Sequence, residues 1–295
     1  MGDIVKISVA GMFGNGPKRG VEHLREFCQA AEAIGFASVS FPEHVVFFTE
    51  YESKYPYSED GAAGWGPETG LFDPLFATMA GAAVTSTLRF VSGVVILPQR
   101  PALLTAREVL SLDHMTGGRF DFGVGTGWSW EEYAALGVPF EKRGRRMDEY
   151  LAAITSAWTD DLGDFSGEFV QFENAVMNPK PVTPGGPAIL IGGSTPVAMR
   201  RAARHDGWYG WWAYFDIDEH IAELDVILGE HDRSTSDEDF DFRLGIPTGF
   251  DAYEEVATKA AKARSLGVDE LVIAAPIATR NFEEQLRMYY EAAVG

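Results

Sequence analysis

Met115-Thr116-Gly117-Gly118-Arg119-Phe120-Asp121-Phe122-Gly123-Val124-Gly125-Thr126-Gly127-Trp128 is the stretch on which the reading of this chain turns. A turn at Thr116-Gly117-Gly118 leads into a short strand, 119–124, that ends in alternate glycines, Gly123, Gly125 and Gly127. Ser129 and Glu132 follow at capping-box spacing and predict a helix start. A strand that runs into glycines before a helix lets a ligand approach the backbone closely, because no Cβ stands in the way. A tight turn that needs glycine for its own sake would read the same way. The glycines do not match G-x-G-x-x-G and lie far down the chain, so this is not the dinucleotide fingerprint. A second loop of the same design, Gly192-Gly193-Ser194-Thr195-Pro196, raises the odds of a ligand site.

Outward from this stretch, strand and helix signals alternate. Apolar, β-rich runs at 4–10, 37–41, 88–97, 119–124, 188–191, 207–212, 242–247 and 270–275 predict eight strands. Between them, helical spacing predicts helices such as 21–34, closed by Gly35, and 144–158, with Met147, Tyr150, Leu151, Ile154 and Trp158 on one face. Asp73 is placed to cap a helix that has Pro74 in its first turn. Eight strands alternating with helices in 295 residues predict an α/β chain folded as a single (β/α)8 TIM barrel spanning 1–295. Two irregular insertions, about 45–71 after strand two and 159–187 after strand four, are too long for ordinary connections. The second carries a small hairpin at 165–172. Both are expected to shape the substrate side of a site.

Composition narrows the function. A net charge of −20 argues against nucleic acid, whose phosphates would be repelled. Cys28 is the only cysteine, which excludes an intrachain disulfide and a thiolate zinc site and suits a reducing cytoplasm. The chain enters an apolar strand at Ile4 without signal-peptide features, and no apolar run is long enough to span a bilayer. Neither a metal site nor a G-x-S-x-G elbow is visible.

In a barrel the site lies at the C-terminal ends of the strands, which turns positions into candidates: Phe13, Glu43 and His44, 93–97, 125–128, 192–195, Trp211 and Trp212, Thr248, and 275–277. His44 could exchange a proton near neutral pH, although a histidine there could equally be a packing residue. His23, His114, His205, His220 and His231 read as structural or exposed. The second glycine loop offers N–H groups, Ser194 and Thr195 hydroxyls and a helix start, an arrangement suited to an anion or to ordinary capping. Arg200, Arg201 and Arg204, further along that helix, are expected to lie too far away to help. The aromatics Phe13, Phe47, Phe48, Trp65, Trp128, Trp130, Trp211 and Trp212 fall at strand ends and loops. As a set they would suit a flat conjugated cofactor and an apolar substrate.

Taken together, Phe41-Pro42-Glu43-His44, residues 112–120 leading to Gly123-Val124-Gly125-Thr126-Gly127-Trp128, Glu132-Tyr133, Leu136-Gly137-Val138-Pro139-Phe140 with Arg143-Gly144, and Pro187 through Gly193 ending in Asp206-Gly207-Trp208 resemble the luciferase-like flavin monooxygenase superfamily. The closer resemblance is to its coenzyme F420-dependent branch. It implies a (β/α)8 barrel with the cofactor at the strand C-termini, backed by a bulge at Gly93-Val94 that often carries a non-prolyl cis peptide. It also implies that Gly125, Thr126, Gly127, Tyr133, Gly192, Gly193, Ser194 and Thr195 hold the cofactor's ribityl chain and phosphate. Glu43 and His44 match an acid/base position beside the ring; Phe13, Trp128 and Trp211 would line the substrate pocket. Trp128 stands where the family's sugar-phosphate dehydrogenases carry a carboxylate, which argues against a phosphorylated sugar. The function implied is hydride transfer between F420 and a small, apolar organic substrate. The alternatives are an FMNH2-dependent monooxygenase served by a separate reductase, and a flavin-binding protein without turnover. A homodimer is the family expectation.

Overall fold

The computed structural model describes residues 5–11, 20–66, 69–278 and 280–295. Phe13, expected in the substrate pocket, lies outside the described residues.

The chain runs β1 (Lys6–Ala10), α1 (Val21–Ile34), β2 (Ser38–Phe41), α2 (Pro74–Ala82), β3 (Arg89–Ser92), β4 (Val95–Ile96), α3 (Ala102–Thr116) and β5 (Phe120–Gly125). After it come α4 (Trp130–Ala135), α5 (Arg143–Thr159), a hairpin of β6 (Gly163–Ser166) and β7 (Gln171–Ala175), then β8 (Ile189–Gly192) and α6 (Pro196–Ala202). β9 (Gly207–Trp211), α7 (Ile217–Gly229), β10 (Asp241–Pro247), α8 (Tyr253–Ser265), β11 (Glu270–Ala274) and α9 (Phe282–Val294) complete it. The large sheet is parallel in the order β3-β2-β1-β11-β10-β9-β8-β5-β4, and β3 also pairs with β5, Phe90 opposite Phe120 and Val91 opposite Asp121. That last pairing closes the sheet. With β3 and β4 counted as one interrupted strand, the fold is an eight-stranded (β/α)8 barrel.

Local chemistry explains the boundaries. Asp73 caps α2 by accepting from the N–H groups of Leu75 and Phe76, with Pro74 at the first helical position. Gly35 ends α1 at φ 112°, in the left-handed region where a Cβ would be strained. Amphipathic helices lay their apolar stripes on the strands, and the core between them is dominated by large side chains such as Trp158, Trp208, Phe122 and Phe242, all essentially buried.

One expectation is met and another is corrected. The bulge with a cis peptide bond that the resemblance implied at Gly93-Val94 is present, and it divides the third strand, read from its apolar run as 88–97, into β3 and β4. Glu43 holds the far side of this bulge: its carboxylate accepts from the Ile96 N–H at 2.5 Å and from Arg100 Nε at 2.8 Å. Segment 159–187 connects α5 to β8, and such helix-to-strand connections lie away from the catalytic end of a barrel. It packs along α5 and α3 instead of over the site. Glu149 accepts from the N–H groups of Phe169 and Val170, and Asp113 accepts from those of Val182 and Thr183. Its expected role on the substrate side is therefore corrected to an outer brace.

Inside the lower barrel the strands are joined by charge. Arg243 on β10 donates to Asp121 on β5 at 2.7 Å and faces Glu270 on β11 at 3.7 Å. Glu270 in turn accepts from Ser8 on β1 at 2.7 Å and from Ser38 on β2 at 2.5 Å. Burial pushes the Asp121 carboxyl up, yet Arg243 and Arg89 overcome it and hold the group below the ordinary aspartate value. Replacing Arg243 by Met leaves the buried Glu270 without a cation and Asp121 with Arg89 alone, so we expect a loss of about 3–5 kcal/mol, read as a lower urea midpoint. Because Asp121 is depressed, its contribution is complete above an ordinary carboxylate pKa of about 3.9 and is lost as pH falls through the folded value. The wild-type midpoint should fall steeply below about pH 4, and Asp121→Asn should flatten that fall.

Candidate active site

The C-terminal ends of the barrel strands open into a cavity of about 820 Å³. Its floor is the bulge. The Val94 side chain lies against Gly125 of β5 and Gly192 of β8, where an added Cβ would meet it at 2.7 and 2.6 Å. The alternate glycines thus make room for Val94 as well as for a ligand, a packing partner that the sequence did not reveal. Below it, Tyr209 donates to Ser40 at 3.0 Å, and burial pushes its phenol up to about 12.

One wall is cationic and backbone-rich. Gly125–Gly127 and Gly192–Thr195 face the cavity, joined by Arg143 and Arg201. Arg143 stacks on Phe140, 3.8 Å from the ring centroid, and its Nε donates to the Gly127 carbonyl at 3.4 Å. No carboxylate pairs with it among the described residues. Arg201, expected to be too distant, lies in the wall and is committed to Asp148 at 2.6 Å. Thr195 uses its hydroxyl as the cap of α6, accepting from the Ala198 N–H at 3.3 Å. Trp208 donates to the Gly193 carbonyl at 2.8 Å and so fixes that loop.

The opposite wall is aromatic. The loop between β2 and α2 folds over the strand ends, bringing the Tyr55 ring to 4.9 Å from Trp65 and 5.4 Å from Trp128. His44 stands among them, 5.1 Å from Phe47 and 5.9 Å from both Trp65 and Trp128. Trp211 closes the ring beside Tyr57. The indole N–H groups of Trp65 and Trp128 are buried and have no hydrogen-bond partner among the described residues.

His44 is held by Glu132, with Nδ1 3.1 Å from the carboxylate. That contact assigns the Nδ1 proton to Glu132 and leaves Nε2 as the nitrogen available for exchange. Burial raises the Glu132 carboxyl, and the hydrogen bond and charge of His44 together with the Val45 and Val46 N–H groups more than offset this, so its pKa is lowered. The expected capping box is only half made. Ser129 accepts from the Glu132 N–H at 3.2 Å, but the Glu132 carboxylate turns to His44 and to Val45 N–H at 2.5 Å. Glu132 is the functional residue that sequence reasoning assigned to capping. Two adjacent acids, Glu131 and Glu132, at a helix start were the available signal; Glu131 accepts from the N–H groups of Glu52 and Ser53 and ties the same loop down.

Of the expected site residues, His44, Gly93, Val94, Gly125, Thr126, Gly127, Gly192, Gly193, Ser194, Thr195, Trp128 and Trp211 line this one cavity. Glu43, expected to act with His44, also lines it, but both of its oxygens are bonded to Ile96 and Arg100, so that it positions the bulge. Tyr133 is buried behind the wall, donating to the Thr126 carbonyl at 2.7 Å, so it supports the glycine loop from outside the cavity. Among the described residues no group of three or more His, Cys, Asp or Glu side chains is arranged to hold a metal, and no helix is long and apolar enough to cross a membrane.

The closed (β/α)8 barrel thus carries one large site at its strand C-termini, with an aromatic wall, a wall of backbone and arginine, and the His44–Glu132 pair between them. The chain belongs to the luciferase-like monooxygenase family, whose model matches residues 5–294. An uncharacterized protein of Mycobacterium tuberculosis (strain ATCC 25618 / H37Rv) is 38% identical over 208 residues, covering 70% of this chain and 72% of that one. The FMNH(2)-dependent dimethylsulfone monooxygenase of Pseudomonas fluorescens (strain Pf0-1) is 31% identical over 193 residues, 64% of this chain and 48% of that protein. In structure the chain resembles the coenzyme F420 dependent tetrahydromethanopterin reductase of Methanopyrus kandleri, with a TM-score of 0.71 at 15% identity over 99% of both chains.

Glu132→Ala should release the loop without unfolding the barrel. We expect faster amide exchange at Val45 and Val46, earlier proteolytic cleavage within 45–66, and a stability loss of about 1.5–3 kcal/mol from the charged hydrogen bonds removed.

Proposed function

We propose that the protein is a coenzyme F420-dependent oxidoreductase acting on a small, uncharged organic substrate, with His44 handling the proton that accompanies hydride transfer. The observation that carries this reading is the His44–Glu132 pair set in an aromatic cavity beside a basic backbone wall. The cavity's size suits a cofactor with its substrate. Among the described residues Arg143 has no carboxylate partner, as befits a guanidinium reserved for a ligand anion. When bound, the deazaflavin supplies or accepts the hydride. The residues of the chain do the rest. The backbone at 125–127 and 192–195, with Arg143, holds the polar tail; Val94 and the bulge back the ring. The loop over 42–66 excludes water, and His44 Nε2 gives or takes the proton while Glu132 keeps its tautomer fixed.

A second reading is an FMNH2-dependent monooxygenase supplied by a separate reductase. It is favoured by the 31% identical relative that bears that description. In either case the same reading takes the protein to work as a cytoplasmic homodimer, in keeping with a single cysteine, Cys28, that is buried and free.

Fluorescence titrations with F420 and with FMN decide between the two. The first reading expects F420 to bind tighter by about tenfold or more, roughly 1.4 kcal/mol; a preference for FMN overturns it in favour of oxygenation. His44→Gln should leave the dissociation constant of the preferred cofactor within about threefold and lower kcat by about 10²–10⁴-fold, the range for loss of a positioned acid or base.

A further inference from the structure

Tyr57 spans the cavity. It belongs to the loop that follows β2, yet its ring lies 6.3 Å from Trp211 at the end of β9, and its phenol oxygen rests against the N–H and the hydroxyl of Ser194, just beyond β8. Both of those residues line the cavity with it. Burial pushes the phenol above its ordinary value and the Ser194 contacts offset only part of this, so the group is neutral at working pH.

The stretch that carries Tyr57 is a closed turn. The Tyr55 N–H donates to the Gly61 carbonyl at 2.8 Å, the Ser58 hydroxyl donates to the Ala62 carbonyl at 2.7 Å, and Asp60 accepts from the Ala62 N–H at 2.9 Å. Residues 55–62 are therefore tied to one another. The anchorage of the loop on α4 ends just before them: Glu131 accepts from the N–H groups of Glu52 and Ser53, and the Ser53 hydroxyl accepts from the Trp130 N–H at 3.0 Å. Exposed Lys54 lies between anchor and tip.

The two attachments differ in strength. At α4 a carboxylate receives backbone N–H groups, and such charge-assisted bonds are about twice as strong as neutral ones. At Ser194 a neutral phenol covers the hydroxyl without satisfying it, for Ser194 Oγ is buried and has no well-formed hydrogen bond among the described residues. An anionic oxygen in the same place would accept from both Ser194 groups with the stronger kind of bond, beside Arg143 on the same wall. The Ser194 N–H has a single hydrogen, so phenol and anion exclude one another.

We propose that Tyr57 is a latch displaced by the cofactor: in the ligand-free protein its phenol holds the 55–62 tip on Ser194, and the phosphate of the entering cofactor takes that place and frees the tip to swing about Lys54. This rests on the reading of the 192–195 backbone as the holder of the cofactor's polar tail. It adds an order of events, cofactor before substrate, because the tip admits a second molecule only after the anion has taken Ser194.

Limited trypsin digestion of the full chain reads the tip, since Lys54 is the only lysine or arginine between His44 and Asp73. Saturation with F420 or FMN, whichever binds tighter, is expected to speed cleavage at Lys54 by about threefold or more, in proportion to the open form. Tyr57→Phe, which keeps the ring and removes the oxygen, should show the faster cleavage without cofactor and bind that cofactor about 2- to 10-fold tighter, the worth of one neutral hydrogen bond. Riboflavin, which lacks the phosphate, should bind both proteins alike, and Tyr55→Phe, which removes the other phenol of the tip, should behave as wild type. Weaker cofactor binding by Tyr57→Phe overturns the proposal, because the phenol would then be a ligand of the bound anion. So does protection of Lys54 by the cofactor, or an equal gain for riboflavin. If neither F420 nor FMN binds, the proposed function fails, and cleavage of ligand-free wild type against Tyr57→Phe alone decides the latch. Normal cofactor binding with Lys54 cleaved at one rate throughout defeats only the latch.

Discussion

The buried guanidinium of Arg243 is the constraint on which the barrel depends. It reaches Asp121 across the barrel interior and faces Glu270, and Glu270 gathers the hydroxyls of Ser8 and Ser38, so β5, β10, β11, β1 and β2 are tied at one level. An ion cluster of this kind contributes less to net stability than its Coulomb energy suggests, because each charge loses its hydration. What it does supply is register. A strand shifted by one residue would turn its charged or hydroxyl side chain to the outer face and leave the others unpaired. Above this layer Ala10, Val91, Leu190, Tyr209 and Val272 form a small apolar plug, and the cavity begins on top of it. The site therefore rests on a floor whose height is fixed by electrostatics beneath and packing between.

The bulge uses the same logic locally. β3 ends at Ser92 and β4 begins at Val95, and the two residues between them are pushed toward the cavity. Gly93 fits because an added Cβ would meet the Ser40 hydroxyl at 2.0 Å, and Val94 fits because Gly125 and Gly192 stand aside for it. Glu43 and Arg100 then hold β4, and Arg100 extends the clamp to Asp73, the cap of α2. A residue that sequence position suggested as catalytic acts by fixing the surface against which chemistry would occur.

The barrel was legible in the sequence because it follows from alternation alone: short apolar runs, helical stripes, and caps such as Asp73 and Gly35 mark each unit. The cavity's strand-end residues were legible for the same reason, since the barrel topology converts strand ends into a site. Other features depend on where side chains turn after the backbone is placed. Glu132 satisfies a capping pattern in sequence, yet its carboxylate finds His44 and Val45, 88 and 87 positions away. Tyr133 shares a motif with the site but points behind it. Segment 159–187 has the composition of a lid, and only the direction of the chain, from helix end to strand start, assigns it to the outside. Long-range polar pairs of this sort leave no periodicity to read.

Consecutive acids at the start of α4 join two properties that are usually separate. Glu131 fixes the loop that follows β2 through Glu52 and Ser53, and Glu132 fixes its beginning through Val45 while orienting His44. Both carboxylates stand on one rigid helical turn, so the loop cannot leave the cavity mouth at Val45 without loosening the partner of the imidazole. Cover of the cavity mouth and orientation of the His44 imidazole are thereby consequences of one arrangement. Evolution could exchange the aromatic residues further along the loop, between Tyr55 and Trp65, and alter what is recognised. The histidine's geometry would persist, because its anchor lies outside the part that varies.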